Sequence, residues 1–243
     1  MSRLVLPLVV GLFAGCASTA LSHTASRGPL LPGDPRLDLE AVTLPSSRTF
    51  DLSIVTDGGR QPFGTLTEDI RRAPDGGLVR VQRLASPRGT QVDSLVSTLR
   101  LSPVSHHSRN PGRTVDLRYA AHKVTGTYTN AGAAPVVVDD ALDSPAFDSN
   151  VIDLVARAVP LDPGFTSPVQ TYERASADAT ETDVTYTVRT VGRDVVGGRE
   201  TVVVEFSKGG TGTTRLYLDP ETRAVVRQES EVAPGTMFVM EPS

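Results

Sequence analysis

The 243-residue chain carries a net charge of −4 with acids and bases interspersed, so it lacks the basic patch on which a nucleic-acid binder depends. Trp is absent and aromatic residues make up 5%, which leaves few stacking platforms for sugars or bases, while abundant Val and Thr with 21 Gly and 18 Pro favour strands and turns over helices. A single cysteine, Cys16, excludes an intramolecular disulfide, so the domain must fold on its apolar core alone, which a chain of this length can build.

In chain order, Arg3 supplies positive charge and residues 4–14 an apolar stretch interrupted by Pro7 and Gly11. Crossing a bilayer takes roughly 20 apolar residues, so this shorter stretch fits the core of a signal peptide and not a membrane helix. The run Leu12-Phe13-Ala14-Gly15-Cys16 resembles a bacterial lipoprotein signal, with small residues before the cysteine and Phe13 where that pattern usually has leucine. The resemblance implies a signal peptide over residues 1–15 and acylation of Cys16. With Ala17 following, it also implies a place in the cell envelope, at the outer membrane facing the periplasm. An ordinary secretory signal cut near Ala17-Ser18-Thr19-Ala20 is the alternative. Residues 16–47, rich in Ser, Thr, Pro and Gly without periodicity, read as a flexible tether.

The folded domain is expected over residues 48–243. Phe50, Leu52 and Ile54 alternate with Asp51 and Ser53 as in a half-buried strand. Strands follow at 64–71 and 78–85 around a Pro74-Asp75-Gly76 turn, then at 91–101, 114–119, 123–129 and 136–138. One helix stands out: Asp148 or Ser149 caps it, Val151, Ile152, Leu154, Val155, Ala158 and Val159 make a wide apolar face, and Pro160 ends it. Asp153 in its first turn and Arg157 in its last suit the helix dipole. Strands resume at 183–189, 201–207, 215–218, 224–231 and 236–240.

Few residues invite chemistry. His106 and His107 are adjacent, so on a strand they would face opposite ways; among Ser105, Ser108, Arg109, Asn110 and Gly112 they read as an exposed loop and not a metal site. Asp139, Asp140, Asp143 and Asp148 lack the central glycine and closing glutamate of a calcium loop and read as a solvated loop before the helix. Gly209-Gly210-Thr211-Gly212-Thr213 lacks the Lys of a phosphate loop and reads as a hairpin turn. No Gly-x-Ser-x-Gly elbow is present. Neither a metal nor a cofactor is expected, and no enzymatic activity.

The helix with its Leu161-Asp162-Pro163-Gly164 exit and the run Leu216-Tyr217-Leu218-Asp219-Pro220-Glu221-Thr222-Arg223 resemble a group of uncharacterised exported bacterial proteins. They also resemble the half-barrel of the lipoprotein-carrier and lipoprotein-receptor families. That resemblance implies a mainly β domain with one central helix, its single antiparallel curved sheet packed on that helix around an apolar groove. The expectation is a non-enzymatic, lipid-anchored envelope protein that binds an acyl chain or similar hydrophobe. Leu117, Tyr119, Val184, Tyr186, Val188, Leu216 and Leu218 from the sheet, with Ile152 and Val155 from the helix, would line the groove. The membrane, through Cys16, and a hydrophobic ligand or an envelope protein are the expected partners. The alternative is a structural or protein-interaction lipoprotein in which the same residues form a filled core without a ligand.

Overall fold

The structure, a computed structural model, describes residues 28–243 apart from 43, 45, 180, 181, 210 and 211. Cys16 and the expected signal peptide therefore lie outside the described residues. The first half is a meander of β1 (Ser46–Thr56), β2 (Gly59–Arg72), β3 (Leu78–Ser86), β4 (Gly89–Ser97), β5 (Pro103–Asn110), β6 (Arg113–Ala120), β7 (Lys123–Asn130) and β8 (Val136–Ala141). A two-residue strand, β9 (Phe147–Asp148), leads through a 3-10 turn (Ser149–Val151) into helix α1 (Ile152–Ala158). The second half comprises β10 (Thr166–Tyr172), β11 (Asp183–Val196), β12 (Arg199–Lys208), β13 (Thr213–Leu218), β14 (Val225–Ala233) and β15 (Thr236–Pro242).

All the strands belong to one 15-stranded sheet in the order β8-β7-β6-β5-β4-β3-β2-β1-β15-β14-β13-β12-β11-β10-β9. The last strand pairs with the first, Phe50 opposite Pro242 and Leu52 opposite Met240, which joins the two halves. Neighbours are antiparallel except β9 and β10, the strands that flank the helix. This is the mainly β, single curved sheet with one central helix that the resemblance implies, antiparallel except for the short β9–β10 pair.

Alternation decides which face is inside. Phe50 and Leu52 are buried while Asp51 between them is exposed, and Leu216 and Leu218 are fully buried opposite Gln228 and Val225. Helix α1 packs into the concavity against β12 and β13 with every residue buried except Asp153, and its side chains join one core with Phe50, Ile70, Val188, Val204 and Leu218. A second apolar cluster, with Val115, Leu117, Val124, Tyr128 and Tyr172, fills the other end of the curl. Curling brings β8 near β10, where side chains join the two halves. Asp140 on β8 accepts from the hydroxyl of Tyr172 and from Nη1 of Arg174, both at 2.8 Å, and the rings of Tyr119 and Tyr172 meet edge to face at 5.7 Å.

Three expectations differ from what forms. Residues 16–47 were expected as a tether, but Leu30, Leu37 and Val42 are buried in the main core. The Leu30 amide donates to Pro168 O at 2.7 Å and its carbonyl accepts from Gln170 N at 3.1 Å, so this segment extends the edge of β10. Apolar side chains spaced too irregularly for a helix or strand still found a place because the open end of the curl needed covering. The expected loop around His106 and His107 is strand β5: His106 is buried, His107 exposed, and a buried ion pair overrides the polar composition of the stretch. Of the acids expected in a solvated loop, Asp139 and Asp140 are on β8 and paired, with Lys123 and Arg174 respectively.

Candidate functional site

A cleft of about 320 Å³ lies between α1 and the concave sheet. One wall is apolar, built by Phe50, Leu52, Leu66, Leu84, Phe206, Phe238 and Met240 from β1, β2, β3, β12 and β15. The strand register places Phe50 beside Leu66, Leu66 beside Leu84 and Leu52 beside Met240, so the wall is continuous across neighbouring strands. The rest of the lining is charged, with Arg48, Glu68 and Arg80 continuing the same strands and Asp153 and Arg157 from the helix.

Arg80 on β3 fixes the start of the helix. Its guanidinium is bidentate to Asp153, Nη1 to Oδ1 at 2.8 Å and Nη2 to Oδ2 at 2.6 Å; its Nε donates to Glu68 at 2.9 Å and its Nη1 also reaches the carbonyl of Asn150. Burial opposes the charge on Arg80, but the two carboxylates outweigh it and hold its pKa above the usual arginine value. Both carboxylates of the cleft are thereby committed to Arg80.

The end of the helix is held by the turn between β13 and β14. Asp219 Oδ1 accepts from the amides of Glu221 at 3.1 Å and Thr222 at 2.8 Å, a side-chain-capped turn that leaves Arg223 at φ +54°. From there Arg223 Nη1 donates to the carbonyls of Arg157 at 2.9 Å and Val159 at 2.7 Å, satisfying groups that a helix C-terminus leaves open. Arg157 returns the contact, its Nε donating to Arg223 O at 3.0 Å. Its Nη2 is buried without a hydrogen-bond partner among the described residues. Burial, joined by the nearby Arg48 and Arg80, lowers the pKa of Arg157 against the opposing pull of Asp153 and Glu68.

A second buried polar group closes the far end of the curl. Asp148, which caps the 3-10 turn by accepting from Asn150 N at 2.8 Å, also accepts from His106 Nδ1 at 3.0 Å and from the Tyr119 hydroxyl. His106 Nε2 stands 3.6 Å from Asp93. Burial alone would push the His106 pKa down; Asp148 and Asp93 overcome it and raise it to about 10. Burial would raise Asp148 and Asp93, yet His106 holds both below the usual carboxylate range. The result is an imidazole bonded to Asp148 through Nδ1 and facing Asp93 across a longer gap, its Nε2 without a hydrogen-bond partner among the described residues. No group of three or more metal-ligating side chains among the described residues is placed to hold a metal ion.

The structure distributes the sequence-predicted groove residues over different surroundings. Ile152 lines the helix-side cleft. Leu117 and Tyr119 line a smaller crevice of about 170 Å³ beside His106. Tyr186 is half-buried, edge to face with Phe206 at 6.3 Å, and its hydroxyl donates to Glu173 at 2.9 Å. Val155, Val184, Val188, Leu216 and Leu218 are buried in the packed interior and line neither space. Sequence reasoning missed Arg80 and Glu68, and gave Asp153 and Arg157 only a role toward the helix dipole. Arg80 interrupts the apolar alternation of Leu78 and Leu84 on the inward face of β3, and that break was the one available signal.

Sheet, enclosed helix and amphipathic cleft together define a β-barrel-like domain formed from a single open sheet. A family model described as "Protein of unknown function (DUF3108)" matches residues 49–241, and the chain belongs to that family. Among curated proteins none matches. Among solved structures, the β-barrel-like protein of domain of unknown function DUF1849 from Brucella abortus is similar in fold, with a TM-score of 0.55 at 9% identity over 83% of this chain and 98% of that one. The MucA/MucB complex of Pseudomonas aeruginosa aligns with a TM-score of 0.29 at 16% identity, over 84% of this chain and 52% of that one.

Proposed function

We propose that this protein is a non-enzymatic, lipid-anchored component of the cell envelope that holds an acyl chain or similar hydrophobe in the cleft between α1 and the sheet. The observation that carries this reading is the continuous apolar wall from Phe50 to Met240 facing a space of about 320 Å³. Ligand pockets run roughly 300–1,000 Å³ and are mostly apolar with a few placed polar groups. Anchoring rests on the lipoprotein-like run ending at Cys16, and each buried acyl methylene contributes about 0.8 kcal/mol.

The test uses the full chain carrying Cys16→Ser, so that no acyl group is attached, purified without detergent. Native mass spectrometry and uptake of an apolar fluorescent probe are the readouts. Bound lipid that leaves on denaturation, with probe uptake lost in Leu84→Trp at an unchanged Tm, supports the reading. No bound species and no uptake in the parent protein would overturn it. Ser in place of Cys16 should also release the protein from membranes.

A second reading, a protein-interaction lipoprotein with a filled core, is favoured by a different observation. Strand β8 pairs on one side only, and Val137 on it is 75% exposed, an edge suited to receiving a partner strand. Failure of the uptake test would leave this reading in place.

A further inference from the structure

The charged side of the cleft does not balance. Three arginines, Arg48, Arg80 and Arg157, face two carboxylates, Glu68 and Asp153, and Arg80 engages both of those. Arg157 is 1% exposed, makes no ion pair among the described residues, and has a buried Nη2 with no hydrogen-bond partner among them. A buried guanidinium left without an anion is expensive, because burial costs the charged form several kcal/mol unless it is paired. Arg157 is held in this situation: its Nε is tied to Arg223 O, and Arg223 in turn caps the helix at Arg157 and Val159. Asp153 is held away from it bidentately by Arg80, and Glu68 already accepts from both Arg80 and Gln82.

We propose that Arg157 is the recognition point for the anionic head of an amphiphile, a carboxylate or phosphate that sits on Nη2 while its hydrocarbon chain lies along the Phe50–Met240 wall. This rests on the cleft being a hydrophobe site and adds the chemical class of the ligand. Arg48, half-buried at the same cleft, supplies a second positive charge beside the head. A guanidinium presents a planar fork matched to both carboxylate and phosphate oxygens. Charge and chain are read by adjoining parts of one space, so a neutral hydrophobe of equal length fills the wall but leaves Nη2 unpaired.

The experiment measures the affinity of the full chain carrying Cys16→Ser for dodecanoate, dodecyl phosphate, 1-dodecanol and dodecylammonium by calorimetry, with inorganic phosphate as competitor. Dodecanoate and dodecyl phosphate should bind at least about tenfold tighter than 1-dodecanol, as hydrogen bonds to a charged partner warrant. Dodecylammonium should bind more weakly than the alcohol. Arg157→Gln should bring the anion-to-alcohol ratio close to one, and Arg48→Gln should lower the ratio in part. Because Arg157 also steadies the helix, the wild-type ratio is decisive if Arg157→Gln fails to fold. Equal binding of anion and alcohol would overturn the anion assignment and leave the hydrophobe site standing. Displacement of dodecyl phosphate by inorganic phosphate at equal affinity would overturn it in favour of a free-anion site. Binding of none of the four amphiphiles would remove the underlying reading, and this assignment with it.

Discussion

The His106 cluster shows how single residues fasten the curl. His106 on β5 faces Asp93 on β4 and Asp148 on β9, with the Tyr119 hydroxyl from β6 on the same Asp148 oxygen. The folded-state pKa of His106 is raised to about 10, so its contribution to stability is fully present below the unfolded value near 6.5 and is lost as pH rises through 10. Asp148 and Asp93 are depressed, so their contribution is present above the unfolded value near 3.9 and fades as pH falls. Thermal unfolding followed from pH 6.5 to 10 should therefore show the wild type losing stability, at a limit of about 1.4 kcal/mol per pH unit for one proton. His106→Gln should start lower and show a flatter profile over that range. Parallel profiles for the two proteins would refute this role of His106.

The elements differ in how far the sequence announced them. Alternation made most strands legible, because a pleated strand with one wet face repeats every two residues. Pro160 made the end of the helix legible from local sequence, whereas Asp148, expected to cap the helix, caps the 3-10 turn before it. Strand β5 was not legible, since its burial depends on Asp93 and Asp148, which are far from it in sequence. The charged side of the cleft was hidden likewise: nothing local says that Arg80 would meet Asp153 or that Arg223 would cap the helix. Those contacts exist only once the sheet has curled. Within the elements, Gly126 marks a close approach. It sits at φ +151° in the middle of β7, and an added Cβ would lie 1.9 Å from the carbonyl oxygen of Asp116 on β6. Backbone cannot yield as a flexible side chain does, so Gly126→Ala should cost about 1–3 kcal/mol. The corresponding fall in Tm is about 2–12 °C for a chain of this size. An unchanged Tm would mean that β7 can shift away from β6 without loss of pairing.

At the scale of the molecule, an open sheet has two edges and two ends to protect, and this fold treats them with different materials. Side chains join the halves through Asp140, Tyr172 and Arg174, and the backbone segment around Leu30–Val42 covers an end. That segment reaches widely: Leu30 bonds to Pro168 and Gln170, Gly33 N donates to Arg100 O at 3.1 Å, and Asp38 N donates to Ala158 O at 2.8 Å. It thus ties β10, the turn after β4 and the end of the helix together, elements from both halves of the chain. Leu30, Leu37 and Val42 are 0%, 8% and 4% exposed, and full burial of such side chains contributes about 1.5–3 kcal/mol each. Deleting residues 28–42 should therefore lower Tm by at least about 8 °C, well beyond what trimming a solvated linker could do. The same deletion should raise amide exchange at β10 and α1 while leaving β6 and β7 protected, because the loss falls on the elements the segment ties. Unchanged stability and exchange would return those residues to the role of a tether and leave the end of the curl to be closed by α1 alone.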